Sequence, residues 1–168
     1  IDLEGVEIND EVINAAKEYF MLPPRLQIVQ QDAVEFMLIK KNMMKDIIFV
    51  DLFSGKQMSK QSINLEFLSQ CFQYLDTHGV LVLNISLADE SQYIQGLLQV
   101  RQLGKQTLFL TVPAYNNILV FILADKTPSY TSNSLLNNVR NLEQQYQYDF
   151  TLFANSLTSL NPHFFNTL

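Results

Sequence analysis

The sequence predicts an α/β fold with a doubly wound, mostly parallel sheet that ends in an antiparallel hairpin. Short apolar runs alternate with segments of helical periodicity, which is typical of βαβ units. Two of the runs, IIFV at 47–50 and VLVL at 80–83, are continuously apolar, as expected of strands that helices cover on both faces. Only residues 113–117 separate the last two runs, and that connection is too short for the crossover that parallel strands need.

Each apolar run is expected to form one strand. The predicted strands lie at 3–8, 26–30, 46–51, 79–85, 107–112 and 118–124. We expect the first four to be parallel, because helical segments alternate with them, and the last two to form the hairpin.

The intervening segments have the apolar spacing and the end signals of helices. The predicted helices lie at 10–20, 32–41, 61–77 and 89–103. Asn9 is placed to cap the first helix, and Asp10 with Glu11 suits the positive end of its dipole. His78 and Gly79 are expected to end the third helix, with the glycine in the left-handed conformation.

The chain is predicted to hold one domain over residues 1–128 and a C-terminal helical extension of that domain over residues 129–168. A length of 168 residues suits a single domain with its own core. The extension is rich in aromatic side chains, which either pack onto their own domain or form a homodimer contact. These residues are Phe150, Phe153, Phe164 and Phe165. Because the sequence begins at Ile1 rather than Met, we expect an N-terminal part outside it.

Composition narrows the class of function. With 11 Lys and Arg against 17 Asp and Glu, the chain has no basic surplus for binding nucleic acid, whereas its charge suits a cationic ligand. It has no apolar run of about 18 residues, so we expect no membrane span. The single Cys71 and the absence of zinc-ligand spacing predict no disulfide and no metal site, and favour the reducing cytoplasm.

Three carboxylates follow successive predicted strands: Glu7, Asp32 and Asp51. Ligands of open α/β sheets bind beyond the carboxyl ends of the strands, so these side chains are expected to line one cleft. Glu7 suits the two hydroxyls of a ribose, and Asp32 with the backbone N–H of Ala33 suits the edge of an adenine. Asp51, after the most apolar strand, suits chemistry. The alternative for each carboxylate is a role confined to a turn or a helix cap.

Four segments in order carry a resemblance to a known family. VEINDEVINAAKEYF at 6–20, RLQIVQQDAVEFM at 25–37, KDIIFVDLFSG at 45–55 and LDTHGVLVLNI at 75–85 are similar to the motifs of spermidine synthases and related polyamine aminopropyltransferases. TVPAYNN at 111–117 matches the family's Pro-x-Tyr segment. The resemblance covers about residues 4–125 and implies a Rossmann-like methyltransferase-type sheet whose first strand and Gly-rich loop precede this sequence.

The resemblance also implies an activity and a site. It implies an enzyme that transfers an aminopropyl group from decarboxylated S-adenosylmethionine, a co-substrate rather than a permanently bound cofactor, to an amine. Both partners of such an enzyme are small molecules, a nucleoside and an amine. The implied nucleoside-binding residues are Glu7, Ile8, Asp32 and Ala33; the implied base is Asp51; the implied amine-side residues are Tyr115 and Ser54.

Ser54 departs from the family, which has a second Asp at this position. Two alternatives therefore stay open: a methyltransferase that uses S-adenosylmethionine, and a non-catalytic relative of the same fold. Ser54 favours these alternatives over a strict spermidine synthase. Asp51 together with Tyr115 favours aminopropyl transfer.

Overall fold

A computed structural model of the chain describes residues 2–23, 25–39, 44–54, 57–86, 96–112, 115–128 and 132–159. The chain divides into two compact units. We call residues 1–42 the N-terminal unit and residues 43–168 the C-terminal unit. The predicted domain boundary at residue 128 stays a prediction.

The N-terminal unit alternates strands and helices. Its elements are β1 (Glu4–Glu7), α1 (Asp10–Tyr19), β2 (Gln27–Gln30) and α2 (Ala33–Leu38). The two strands are parallel, with Glu4 opposite Gln27 and Glu7 opposite Gln30. The side chain of Asn9 accepts a hydrogen bond from the Glu11 N–H at 2.9 Å, which confirms the predicted cap of α1.

The C-terminal unit contains a mixed five-stranded sheet. The strands of this unit are β3 (Lys45–Val50), β4 (Phe53–Ser54), β5 (Gln57–Met58), β6 (Leu75–Ser86), β7 (Gln106–Thr111), β8 (Asn117–Leu123) and β9 (Thr158–Ser159). The order in the sheet is β3-β6-β8-β7-β9; β3 and β6 are parallel, and the other neighbouring pairs are antiparallel. The predicted α/β class and the β7–β8 hairpin are confirmed, whereas a mostly parallel sheet is observed only in part.

The C-terminal unit also contains helices. They are a 3₁₀ helix (Lys60–Ile63), α3 (Leu65–Gln73), α4 (the helical residues 96–100), α5 (Ser132–Tyr146) and α6 (Thr151–Ser156). The predicted helix 89–103 begins among residues outside the described ones.

The predicted helix 61–77 is wrong at its end. Helix α3 ends at Gln73 with Tyr74 as its C-cap, and β6 begins directly at Leu75, because the Tyr74 carbonyl accepts a hydrogen bond from the N–H of Lys45 at 2.8 Å. Gly79 therefore lies inside a strand and does not end a helix. A Cβ atom there would lie 3.0 Å from the carbonyl oxygens of Asp46 and Asp76, so the close backbone approach favours glycine.

The core of the C-terminal unit includes the adjacent interior strands β6 and β8. Leu81, Leu83 and Ile85 of β6 are fully buried, as are Val120 and Ile122 of β8. Burying each such side chain contributes about 1.5–3 kcal/mol to the stability of these strands.

The structure also describes Cys71 and part of the aromatic extension. Cys71 is buried, and burial raises the pKa of its thiol to about 12, which agrees with a structural rather than a nucleophilic cysteine. Phe150 and Phe153 pack against Tyr148, with ring centroids 5.1 and 6.1 Å from that of the tyrosine, whereas Phe164 and Phe165 lie outside the described residues.

None of the helices in the described part of the chain has the length and apolarity needed to cross a bilayer.

Candidate active site

Asp51 follows β3 directly, at the carboxyl edge of the sheet in the C-terminal unit. Val50 lies opposite Leu83 in the parallel pair β3–β6, so Asp51 falls beside Asn84. The side-chain amide of Asn84 donates a 2.9 Å hydrogen bond to Oδ1 of Asp51. The Asp51 side chain is exposed, and Oδ2 accepts no hydrogen bond from the described residues. One oxygen is thus held by the fold while the other remains accessible.

A second amide continues the contact into the next strand. Asn117, the first residue of β8, donates from its side-chain nitrogen to Oδ1 of Asn84 at 2.8 Å. Asn84 lies opposite Leu119, two residues from Asn117, so both amides lie on the same face of the antiparallel pair. We call this arrangement the Asp51–Asn84–Asn117 chain.

Neither asparagine was predicted to have a role from the sequence. A signal exists for Asn84, because it is the only polar residue between Val80 and Ile85 in a run whose neighbours Leu83 and Ile85 are fully buried. A polar side chain in such a run needs partners, and this requirement marks it as part of a polar network. Asn117 has no comparable signal, because turns commonly contain asparagine.

The segment after Asp51 is anchored in the C-terminal unit. Strands β4 and β5 pair with Phe53 opposite Met58 and Ser54 opposite Gln57. The N–H of Ser59 and the buried hydroxyl of Ser62 both donate to the carbonyl of Leu52, at 2.9 and 3.2 Å.

This anchor reaches the neighbouring strand as well. The sulfur of Met58 accepts a 3.4 Å hydrogen bond from the N–H of Ser86 at the end of β6. The backbone of Ser54, three residues after Asp51, therefore lies in a short antiparallel pair of strands that is hydrogen-bonded to the end of β6.

Tyr115 lies in the connection between β7 and β8. Its N–H donates to the carbonyl of Val112 at 3.2 Å, and the Val112 N–H donates to the carbonyl of Asn117 at 3.0 Å. β6 ends where the antiparallel β8 begins, so this connection lies at the same edge of the sheet as Asp51. The tyrosine side chain is 72% exposed, and its backbone is only two residues from the Asp51–Asn84–Asn117 chain.

In the N-terminal unit, Glu7 ends β1 and stabilises the turn that follows it. Its Oε1 accepts the N–H of Asn9 at 2.8 Å, and its backbone carbonyl accepts the N–H of Gln31 at 3.1 Å. The Glu7 side chain is half-buried, and Ile8 is 64% exposed. The binding of ribose by these two residues stays a prediction.

Asp32 is the N-cap of α2. Its Oδ1 accepts the N–H groups of Val34 at 2.8 Å and Glu35 at 3.1 Å, and its Oδ2 accepts no hydrogen bond from the described residues. The cap that was the alternative for this carboxylate is therefore present. It uses one oxygen, and Ala33 is the first residue of the helix.

The structure brings the predicted residues together in two groups. Glu7 and Asp32 follow adjacent parallel strands of the N-terminal unit, and Asp51, Ser54 and Tyr115 lie at one edge of the sheet in the C-terminal unit. The convergence of all three carboxylates in one cleft stays a prediction. Within the described ranges, no group of three His, Cys, Asp or Glu side chains is arranged to hold a metal ion.

Sequence comparison relates the chain to a group of bacterial enzymes, although no family model matches. It is 26% identical over 164 residues to a polyamine aminopropyltransferase of Neisseria meningitidis serogroup A and 28% identical over 163 residues to that of Chromobacterium violaceum. These matches cover 95% and 94% of the chain. The chain spans 61% of the length of each of these relatives.

Comparison with solved structures identifies the fold. A spermidine synthase in complex with the transition-state analogue AdoDATO matches 99% of the chain and 61% of its own, with a TM-score of 0.73 and 19% identity. Human Methyltransferase-like protein 13 in complex with SAH matches 98% of the chain and 77% of its own, with a TM-score of 0.74 and 15% identity. The spermidine synthase from Thermotoga maritima matches 98% of the chain and 58% of its own, with a TM-score of 0.65 and 19% identity. Over nearly its whole length, this chain is similar in sequence to the polyamine aminopropyltransferases, and it has their Rossmann-like methyltransferase fold.

Proposed function

We propose that this chain is the catalytic part of a spermidine synthase-like transferase, which moves an aminopropyl group from decarboxylated S-adenosylmethionine to an amine. The sequence similarity to polyamine aminopropyltransferases over 94–95% of the chain supports this class of reaction. The observation that carries the proposal is the Asp51 carboxylate, exposed at the carboxyl edge of the sheet and held through one oxygen by Asn84.

The reaction requires a carboxylate of this kind. The amine nitrogen forms a new bond to the aminopropyl carbon beside the sulfonium while the carbon–sulfur bond breaks, and the electron pair of that bond stays on sulfur. Methylthioadenosine leaves, and the amine loses one proton. An alkylammonium has an unperturbed pKa of about 10.4, so freeing its lone pair near neutral pH costs about 4–5 kcal/mol.

Asp51 meets both demands of that step. As an anion it attracts the ammonium form of the acceptor, and as a base it accepts the proton that leaves the nitrogen. The hydrogen bond from Asn84 occupies Oδ1, so Oδ2 is the oxygen available to the amine. Holding one oxygen also restricts rotation of the carboxyl group, which keeps the base in line with the attacking nitrogen.

The nucleoside is proposed to bind through the N-terminal unit. Glu7 with Ile8 would hold the ribose, and the free Oδ2 of Asp32 would accept from the exocyclic amine of adenine while the N–H of Ala33 donates to the ring. The hydrogen bonds observed at Glu7 Oε1 and Asp32 Oδ1 support this division, because in each carboxylate they occupy a single oxygen.

The amine acceptor is proposed to lie between Asp51 and Tyr115, beside Ser54. Ser54 supplies a neutral group where the family has a second carboxylate, so the site attracts a second ammonium less strongly. We therefore expect monoamines and longer amines to compete better with short diamines than they do in a strict spermidine synthase. Action in the cytoplasm as a homodimer belongs to the same proposal.

The test uses the full-length protein that contains this chain. Transfer is measured with decarboxylated S-adenosylmethionine and a panel of monoamines, diamines and polyamines. Calorimetry is run in parallel with methylthioadenosine, S-adenosylhomocysteine and decarboxylated S-adenosylmethionine. We expect transfer to at least one amine and tight binding of methylthioadenosine. No turnover with any amine would overturn the proposal.

One observation favours a second candidate, a methyltransferase that uses S-adenosylmethionine. Human Methyltransferase-like protein 13, in complex with SAH, matches nearly the entire chain with a TM-score of 0.74. The same calorimetry separates the two candidates. A methyltransferase would bind S-adenosylhomocysteine more tightly than methylthioadenosine, because its site also holds the amino-acid part of the cofactor.

A further inference from the structure

We propose that Asn117 is a positioning residue that acts through Asn84 to fix the orientation of the Asp51 carboxylate. The role in transfer rests on the proposed function, because it assumes that Asp51 is the base. The Asp51–Asn84–Asn117 chain is a feature of the fold and is testable without catalysis.

Three strands contribute one residue each to this chain. β3 places Asp51 beside Asn84 because Val50 is opposite Leu83, and β8 places Asn117 diagonal to Asn84 because Ser86 is opposite Asn117. Both contacts are short, at 2.9 and 2.8 Å, and each connects residues 33 positions apart. Register alone therefore aligns the three side chains on one face.

The hydrogen bonds of the Asp51–Asn84–Asn117 chain can run in only one direction from donor to acceptor. An ionised Asp51 only accepts hydrogen bonds, so Asn84 must present its NH₂ group to it. The carbonyl of Asn84 then points at Asn117, which must donate. The two ends of an amide have nearly the same shape, so packing alone does not choose between them. Asn117 strengthens this choice, because reversing the amide of Asn84 would put its NH₂ group against the NH₂ group of Asn117, as well as its oxygen against Oδ1 of Asp51.

Asp51 depends on this support more than a buried carboxylate would. Its side chain is exposed, so packing does not fix its rotamer, and Asn84 is the one hydrogen-bond donor to its carboxyl group among the described residues. Asn84 itself is half-buried between two fully buried residues, Leu83 and Ile85, which limits its own movement. The rigid part of the sheet thereby orients a group at its accessible edge.

The variant Asn117→Asp tests the direction of the hydrogen bonds in the Asp51–Asn84–Asn117 chain, and it hardly changes the shape of the side chain. It replaces the donor by a carboxylate, so two carboxylates then compete for the single amide of Asn84. We expect kcat to fall by at least about tenfold, because misorienting a reacting group by a fraction of an ångström to an ångström has effects of up to about 100-fold. The KM for the amine should change far less, since the charge of Asp51 remains.

Asn116→Asp is the matched control. It introduces the same charge one residue earlier, on an exposed side chain that makes no hydrogen bond with the described residues. This control should leave kcat near the value of the unmodified protein, and any change in the amine KM that it shares with Asn117→Asp reports the added charge alone. A double-mutant cycle with Asn84→Ala completes the design: if Asn117 acts through Asn84, Asn117→Asp should have no further effect on kcat once Asn84 is absent.

Nuclear magnetic resonance provides a readout that does not need activity. In the full-length protein, Asp51→Asn and Asn117→Asp should each shift the side-chain amide resonances of Asn84, and Asn116→Asp should not. Circular dichroism confirms that each variant is folded. Unshifted Asn84 resonances in Asn117→Asp, or shifted resonances with an unchanged kcat, would overturn the inference. If the unmodified protein shows no transfer, the proposed function and the positioning role in transfer are both wrong. The Asn84 resonances alone decide whether the hydrogen bonds of the Asp51–Asn84–Asn117 chain are present.

Discussion

The side-chain amide of Asn84 holds Oδ1 of Asp51 at 2.9 Å across 33 positions of sequence. The contact connects β6, an interior strand with fully buried side chains, with an exposed carboxylate that follows β3. It gives Asp51 two different oxygens, one held and one available, and the proposed chemistry requires that difference.

The first prediction concerns Asp51 itself. Asp51→Asn should lower the transfer rate by about 100- to 10,000-fold, the usual contribution of a general base, because an amide neither attracts an ammonium nor takes its proton. Affinity for methylthioadenosine, measured by calorimetry, should stay nearly unchanged. Asp46→Asn is the matched control, since Asp46 is an exposed aspartate near the other end of β3. Full activity of Asp51→Asn would remove Asp51 from the mechanism.

The second prediction separates charge from structure at Glu7. Glu7→Gln keeps an oxygen for the N–H of Asn9, so the free energy of unfolding should change little. Loss of the negative charge should weaken methylthioadenosine binding by about 1.5–3 kcal/mol, the contribution of charged hydrogen bonds. Calorimetry and urea unfolding measure the two quantities. Equal affinity in Glu7→Gln and in the control Glu18→Gln, on the exposed part of α1, would contradict the ribose role.

The third prediction divides the two roles of Asp32. Asp32→Ala removes the cap of α2 and should lower the free energy of unfolding by about 0.5–2 kcal/mol. Asp32→Ser keeps a capping oxygen for Val34 and Glu35 but is too short to reach adenine as well. We expect near-normal stability in urea unfolding for Asp32→Ser, together with weaker nucleoside binding. Undiminished nucleoside affinity in both variants would leave Asp32 with its cap alone.

The fourth prediction concerns pH and the connection between α5 and α6. The hydrogen bonds from Thr151, whose N–H lies 2.7 Å from Oε1 of Glu143, lower the pKa of Glu143 from its usual 4.5. A pKa that is lower in the folded state than in the unfolded state stabilises the protein at pH values above the unfolded-state pKa. This stabilisation is lost as the pH falls through the folded-state pKa. The melting temperature of the unmodified protein should therefore fall more steeply with acidification than that of Glu143→Gln. Parallel pH profiles for both proteins would refute the prediction.

Most elements of the fold were predictable because their signals are local. The strand predicted at 46–51 is observed at Lys45–Val50 and the one at 118–124 at Asn117–Leu123, since continuous apolar runs favour strands. The expectation that both faces of the 47–50 run are covered is wrong, because Ile47 and Phe49 are exposed. The boundary near Leu75 was not predictable in this way. Leu75 continues the apolar spacing of α3, but pairing with Lys45 converts it to the first residue of a strand. Long-range pairing here outweighed helical periodicity.

For the candidate site, the sequence by itself determined that Asp51 follows an apolar strand and that Tyr115 lies in a tight hairpin, because strand ends and short turns are predicted from adjacent residues. Only the tertiary structure decided that Asn84 and Asn117 join Asp51. Each contact crosses from one strand to another with a register that depends on how the sheet pairs, and a shift of one residue would turn the amide to the opposite face. The position of the carboxylate is thus a local property of the chain, and its orientation is a property of the assembled sheet.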